Sequence, residues 1–136
     1  MNLSFSISNI HWIPVVVMTV FSFLLGAFWH TPLLFGKTWK KENNYDNIQK
    51  RTSAPLLFGG TAVMHFLAIS GLSALISGQG GINGLLSGLF ISIVWIVPAM
   101  VGTYLFASRS IKLLVIDTGM YVVLFSISGL ILGIWK

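Results

Sequence analysis

The sequence predicts an all-α, polytopic membrane protein: a four-transmembrane-helix bundle forming one membrane domain over residues 1–136, with both termini on the outer side. Three observations lead there. Hydrophobic residues make up 55% of the chain and charged residues 8%, against roughly 25% charged in ordinary soluble domains. A soluble fold of this size could not solvate its surface with so few charges. Four apolar runs, at about residues 11–35, 54–77, 83–107 and 113–135, reach the ~20 residues that cross a bilayer core of about 30 Å. The basic residues are confined to two connections. Lys37, Lys40, Lys41, Lys50 and Arg51 lie in the loop 37–53, Arg109 and Lys112 in the loop 108–112, and Lys136 closes the chain. The middle loop has none, so the positive-inside rule puts both basic loops in the cytoplasm and both termini outside.

Several function classes are disfavoured by the same composition. The formal net charge of +5 sits in short loops, where it sets orientation, so no nucleic-acid partner is expected. There is no cysteine, which excludes disulfides, thiolate metal sites and cysteine nucleophiles. His11, His30 and His65 fall at three different depths, so no metal site is expected. No nucleophile–base pair, phosphate loop or dinucleotide fingerprint is present, and neither a cofactor nor an enzymatic activity is anticipated.

In chain order, residues 1–10 are an uncharged tail, and the first apolar run is too long for a signal peptide, so it reads as a retained span. The first helix begins near His11 with Ser8 or Asn9 as cap, and Pro14 fits its first turn. Its far end runs into the stretch GAFWHTPLLFGKTW at 26–39, around which the rest can be placed. Pro32 disfavours helical geometry at Thr31, so the helix kinks or ends near His30, with Leu33–Gly36 as an interfacial turn. Trp29, His30 and Trp39 suit interfacial anchoring. In the first loop Asn43, Asn44 and Asn47 favour turns, and Trp39, Tyr45 and Ile48 suggest a weak amphipathic segment.

The second helix starts at a Ser53 cap, with Ala54 and Pro55 in its first turn. His65 is its only ionisable group, about eleven residues in and so about 16 Å deep at 1.5 Å per residue. It reads as a core histidine bonded to a neighbouring hydroxyl or carbonyl. The uncharged loop GQGGIN at 78–83 is a tight hairpin turn. In the third helix Trp95 lies near mid-depth, and Pro98 should kink the chain on the same face. The fourth helix follows the short basic loop SRSIK and places Asp117 about one turn inside the membrane.

A charge at the bilayer centre costs about 2.5–3.5 kcal/mol, which makes Asp117 the most informative residue. His30 lies at similar depth, Arg109 is close by in the third loop, and Tyr121 shares the face of Asp117 one turn on. The topology therefore allows a polar cluster of His30, Asp117, Tyr121 and Arg109, with Trp29, His65 and Trp95 as a second tier. One reading is a structural pin between helices; the other is a proton- or ligand-linked site. Gly84 and Gly88, and Gly129 and Gly133, form two GxxxG pairs at matching depth, where the third and fourth helices, or two subunits, can approach closely.

With these residues laid out, the chain resembles the bacterial membrane family named for domain of unknown function 1761. The resemblance rests on WHTPLLFGKTW at 29–39, on Trp95, Pro98 and Ala99, on LFASRSIKLLVIDTGMYVV at 105–123 and on GLILGIW at 129–135. It departs at His30, where the family pattern more often has tyrosine, which favours a hydrogen-bonding interfacial ring over a proton relay. The resemblance implies four spans and an inner-membrane location, and brings no reaction. The expected function is therefore a structural or accessory membrane subunit, or a homo-oligomer in the lipid bilayer. The alternative is a small proton- or ion-linked transporter built on the Asp117 cluster.

Overall fold

A computed structural model describes residues 4–44 and 52–135. Tyr45, Asn47, Ile48, Lys50, Arg51 and Lys136, named in the sequence analysis, lie outside the described residues. Among the described residues six α-helices occur in order: α1 (Trp12–Trp29), α2 (Gly36–Glu42), α3 (Ala54–Ile76), α4 (Gly81–Ile91), α5 (Val97–Phe106) and α6 (Ile111–Ile134). A short 3-10 turn, Ile7–Asn9, precedes α1, and a π-helical turn, Ser92–Ile96, joins α4 to α5. The helices α1, α3 and α6, together with the continuous run Gly81–Phe106, are long and apolar enough to cross a membrane. A helix satisfies its own backbone donors and acceptors, which is what makes such a crossing possible in lipid.

The start of α1 differs from expectation. Ser8 and Asn9 belong to the 3-10 turn, and His11 takes the N-cap position. Its backbone N–H donates to Ser73 Oγ (3.1 Å), and Ser6 N–H donates to the Ala74 carbonyl (3.1 Å), so the tail is fastened to the end of α3. At the other end, α1 stops at Trp29 with His30 as its C-cap, although the apolar run continues to about residue 35. The pyrrolidine of Pro32 accounts for the stop, since the residue before a proline is pushed out of helical geometry.

Beyond that stop the chain makes a tight turn. Phe35 N–H donates to the Trp29 carbonyl (3.2 Å) and Gly36 N–H to the Thr31 carbonyl (2.9 Å), and the two-turn α2 begins at once. Gly36 is buried, and a Cβ there would collide with the backbone carbonyl of His30. Gly36→Ala is therefore expected to destabilise the protein by about 1–3 kcal/mol, the usual range for overpacking. Thermal unfolding of the purified variant checks this, and an unchanged melting curve would show that the turn is not held closed here.

Ser53 occupies the N-cap of α3, with proline in the first turn, but its side chain makes no capping bond. The third span is divided by its π turn, in which Val97 N–H donates to the Ser92 carbonyl five residues back. Pro98 comes directly after it. In a regular α-helix its ring would press on the carbonyl four residues earlier, and the wider turn moves that carbonyl aside. The kink expected at Pro98 thus takes the form of one expanded turn.

Helix α6 is the centre of the assembly and touches each of the other five helices. The core forms around Leu124 and Leu132 of α6, Val15 and Met18 of α1, and Ile69 and Leu72 of α3. Large apolar side chains such as Val16, Leu24, Leu67 and Val115 point outward and are exposed. Against α6, α4 runs at backbone contact: Gly84 faces the Gly129 carbonyl, Gly88 the Phe125 carbonyl, Gly129 the Gly84 carbonyl and Gly133 the Gly80 carbonyl. All four glycines of the two GxxxG pairs meet in this one crossing.

Candidate functional site

The end of the bundle opposite the glycine crossing carries the polar cluster. Asp117 lies in the second turn of α6, with its side chain 19% exposed. Trp39 of α2 donates its indole N–H to Asp117 Oδ1 (3.0 Å), and Tyr104 of α5 donates its hydroxyl to Oδ2. His30, at the end of α1, places Nε2 4.0 Å from Oδ1 and stands edge-on to the Trp39 indole, with ring centres 5.1 Å apart. Its Nδ1 lies 2.8 Å from the Gly26 carbonyl. A carbonyl only accepts, so Nδ1 carries the hydrogen, and in the neutral ring Nε2 has none to give Asp117.

A second ring of contacts surrounds this carboxylate. Arg109 stacks its guanidinium 5.0 Å from the centre of the Tyr104 ring and donates from Nη2 to Asn43 Oδ1 (2.5 Å). Trp29 donates its indole N–H to the Ile116 carbonyl (3.0 Å), lies against Gly119 and packs on Phe35, with ring centres 4.8 Å apart. Lys112 Nζ and Glu42 Oε1 stand 4.0 Å apart on the exposed side, a pair worth little in water.

Of the four residues placed together from the sequence, the structure joins His30 and Asp117 directly. Arg109 reaches Asp117 only through Tyr104. Tyr121 makes no hydrogen bond to Asp117 among the described residues, and its ring meets His65 edge-on, with centres 6.0 Å apart. The indole and hydroxyl donors that Asp117 uses come instead from Trp39, which the sequence presents as an interfacial anchor, and from Tyr104, which no sequence pattern singles out. The available signal for Tyr104 was its place near the end of the third span, at the same depth as Asp117 across the short loop.

A separate polar locus sits near mid-depth. Ser22 of α1 donates its hydroxyl to the Thr19 carbonyl (2.6 Å), and its oxygen lies 2.8 Å from His65 Nδ1. The single hydroxyl hydrogen is committed to Thr19, so His65 donates from Nδ1. Trp95 stands on the π turn, 55% exposed. Among the described residues, no three His, Cys, Asp or Glu side chains gather to hold a metal.

Chemically, the Asp117 arrangement is an acceptor with each oxygen engaged by a neutral donor from a different helix. It ties α2, α5 and α6 at one point, and His30 brings in the end of α1. A family model described as "Protein of unknown function (DUF1761)" matches residues 13–133. No curated protein matches the chain, and no solved structure does.

Proposed function

Since the chain belongs to the DUF1761 family, whose description assigns no function, we propose from its geometry that it works without enzymatic chemistry. In this reading it is an accessory subunit or homo-oligomer of the bacterial inner membrane. One observation carries the reading. Both oxygens of Asp117, the acidic group set within a spanning helix, are engaged by Trp39 and Tyr104. A carboxylate so placed serves to fasten helix ends, and buried ionisable groups need such partners. The outward apolar faces of α1, α3 and α6 are then the surfaces through which the protein meets lipid and other subunits.

The basic loops support an orientation with both termini outside the cytoplasm. Because the chain has no cysteine, single reporters can test it. A cysteine at Ser4 is expected to react with an impermeant maleimide on intact spheroplasts, and one at Ser108 only after lysis. The reverse pattern would overturn the orientation.

Native mass spectrometry of protein gently extracted from its own membrane tests the function. The expected result is a reproducible complex, either with another membrane protein or between copies of this chain. A clean monomer would sink the accessory reading. Proton-linked flux in liposomes that disappears in Asp117→Asn would replace it with transport.

A further inference from the structure

Two cavities meet on the flank of the bundle at mid-depth. One, of about 390 Å³, is lined by Met64, His65, Ile91, Trp95, Tyr121 and Phe125 among others. The other, of about 330 Å³, continues along α3 past Leu57, Gly60 and Thr61 and shares Met64, His65 and Tyr121 with the first. Both are in the size range of small-molecule sites, which are mostly apolar with a few convergent polar groups. Trp95 and Met64 are more than half exposed, so the groove opens toward the lipid side of the bundle. We propose that this groove binds a neutral, lipid-soluble ring compound carrying a hydroxyl: a quinol or a related phenol.

The polar atoms define the ligand. His65 gives its Nδ1 hydrogen to Ser22, whose own hydrogen is committed to Thr19. The Nε2 lone pair lies on the side of the ring away from Ser22, with no partner among the described residues. The Tyr121 hydroxyl likewise has no hydrogen-bond partner among the described residues, although Tyr121 is mostly buried against His65. One atom wants a donor and the other offers a hydrogen. A ligand hydroxyl meets both, donating to His65 Nε2 and accepting from Tyr121 Oη.

The surroundings define the rest. Among the described residues no charged side chain lines either cavity, and His65 lies about 16 Å from the end of its span at 1.5 Å per residue, so a charged ligand beside it would lie deep in lipid without a described counter-charge. The rings of Trp95, Tyr121 and Phe125 present flat apolar surfaces suited to a ring. The π turn is what brings Trp95 to this wall, and such turns recur at functional sites. The second cavity gives a hydrocarbon tail a course along α3.

The test uses the full-length protein in nanodiscs of saturated phosphatidylcholine, with a radiolabelled decyl-tailed hydroquinone as probe. Saturable binding is expected, weakened roughly tenfold in Tyr121→Phe, the loss expected for one hydrogen bond. That variant removes a hydroxyl with no partner in the fold, and an unchanged melting curve verifies that the protein is intact. The dimethyl ether of the probe, which has no hydrogen to give His65, is expected to bind at least tenfold more weakly for the same reason. The proposal is overturned by any of three results: no saturable binding, equal binding of the probe by Tyr121→Phe and parent, or competition by the ether or by decanol as strong as that of the hydroquinone itself.

Discussion

Gly84→Leu forces α4 off α6, and the protein unfolds at much lower temperature or denaturant. A Cβ at Gly84 meets the Gly129 carbonyl and the Gly133 backbone, and the reciprocal holds at Gly129. Backbone cannot rotate out of the way as a side chain can, so the helices must separate. Overpacking alone costs about 1–3 kcal/mol, and each lost Cα–H···O contact at such a crossing removes about 0.5–1 kcal/mol more. Leucine adds three further carbons beyond the colliding methyl, which puts the expected loss at or above the top of the overpacking range. Gly71→Leu supplies the control, since a Cβ there has nothing within 4 Å. Matching thermal unfolding of the two variants in detergent would sink the close crossing as the fold's main fastening.

Asp117→Leu releases the opposite end. It leaves the Trp39 indole N–H and the Tyr104 hydroxyl without their acceptor. An unsatisfied buried donor costs about 1–3 kcal/mol. Because Asp117 is 19% exposed, water recovers part of this, and we expect about 2 kcal/mol in all on that scale. The local effect is larger than the global one: amide exchange across Gly36–Glu42 accelerates as α2 detaches. Asp117→Asn should fall between. Its carbonyl keeps the Trp39 bond, and its amide nitrogen donates to the Tyr104 oxygen once that hydroxyl reorients. Exchange in α2 that is the same in Asp117→Leu and the parent would show that the carboxylate does not hold this helix.

The spans were legible because an apolar run of bilayer length declares itself without tertiary information. The glycine pairs were legible for a related reason, as they stand at equal depth on helices joined by a short turn. The helix α2 was not. Seven residues with three lysines show no apolar period, and what holds α2 is a bond from Trp39 to a residue 78 positions away. Tyr104 escaped for the same reason, since spacing along one helix relates residues three or four apart and Tyr104 precedes Asp117 by 13. Tyr121 does come one turn after Asp117, but successive turns of α6 face different neighbours. Near its start α6 meets α2 and α5, whereas one turn deeper Tyr121 meets His65 of α3.

The Trp39–Asp117 bond also has a consequence for biosynthesis. Its partners are separated by 78 residues, and Trp29 waits 87 residues for the carbonyl of Ile116. At about 5–20 residues per second, α2 leaves the ribosome roughly 4–16 s before its acceptor does. The bond from Trp39 to Asp117 therefore forms only once the fourth span has been made. A chain stalled ahead of Asp117 would lack the acceptor of the Trp39 indole, so the tie between α2 and α6 and the completion of the fourth span come together.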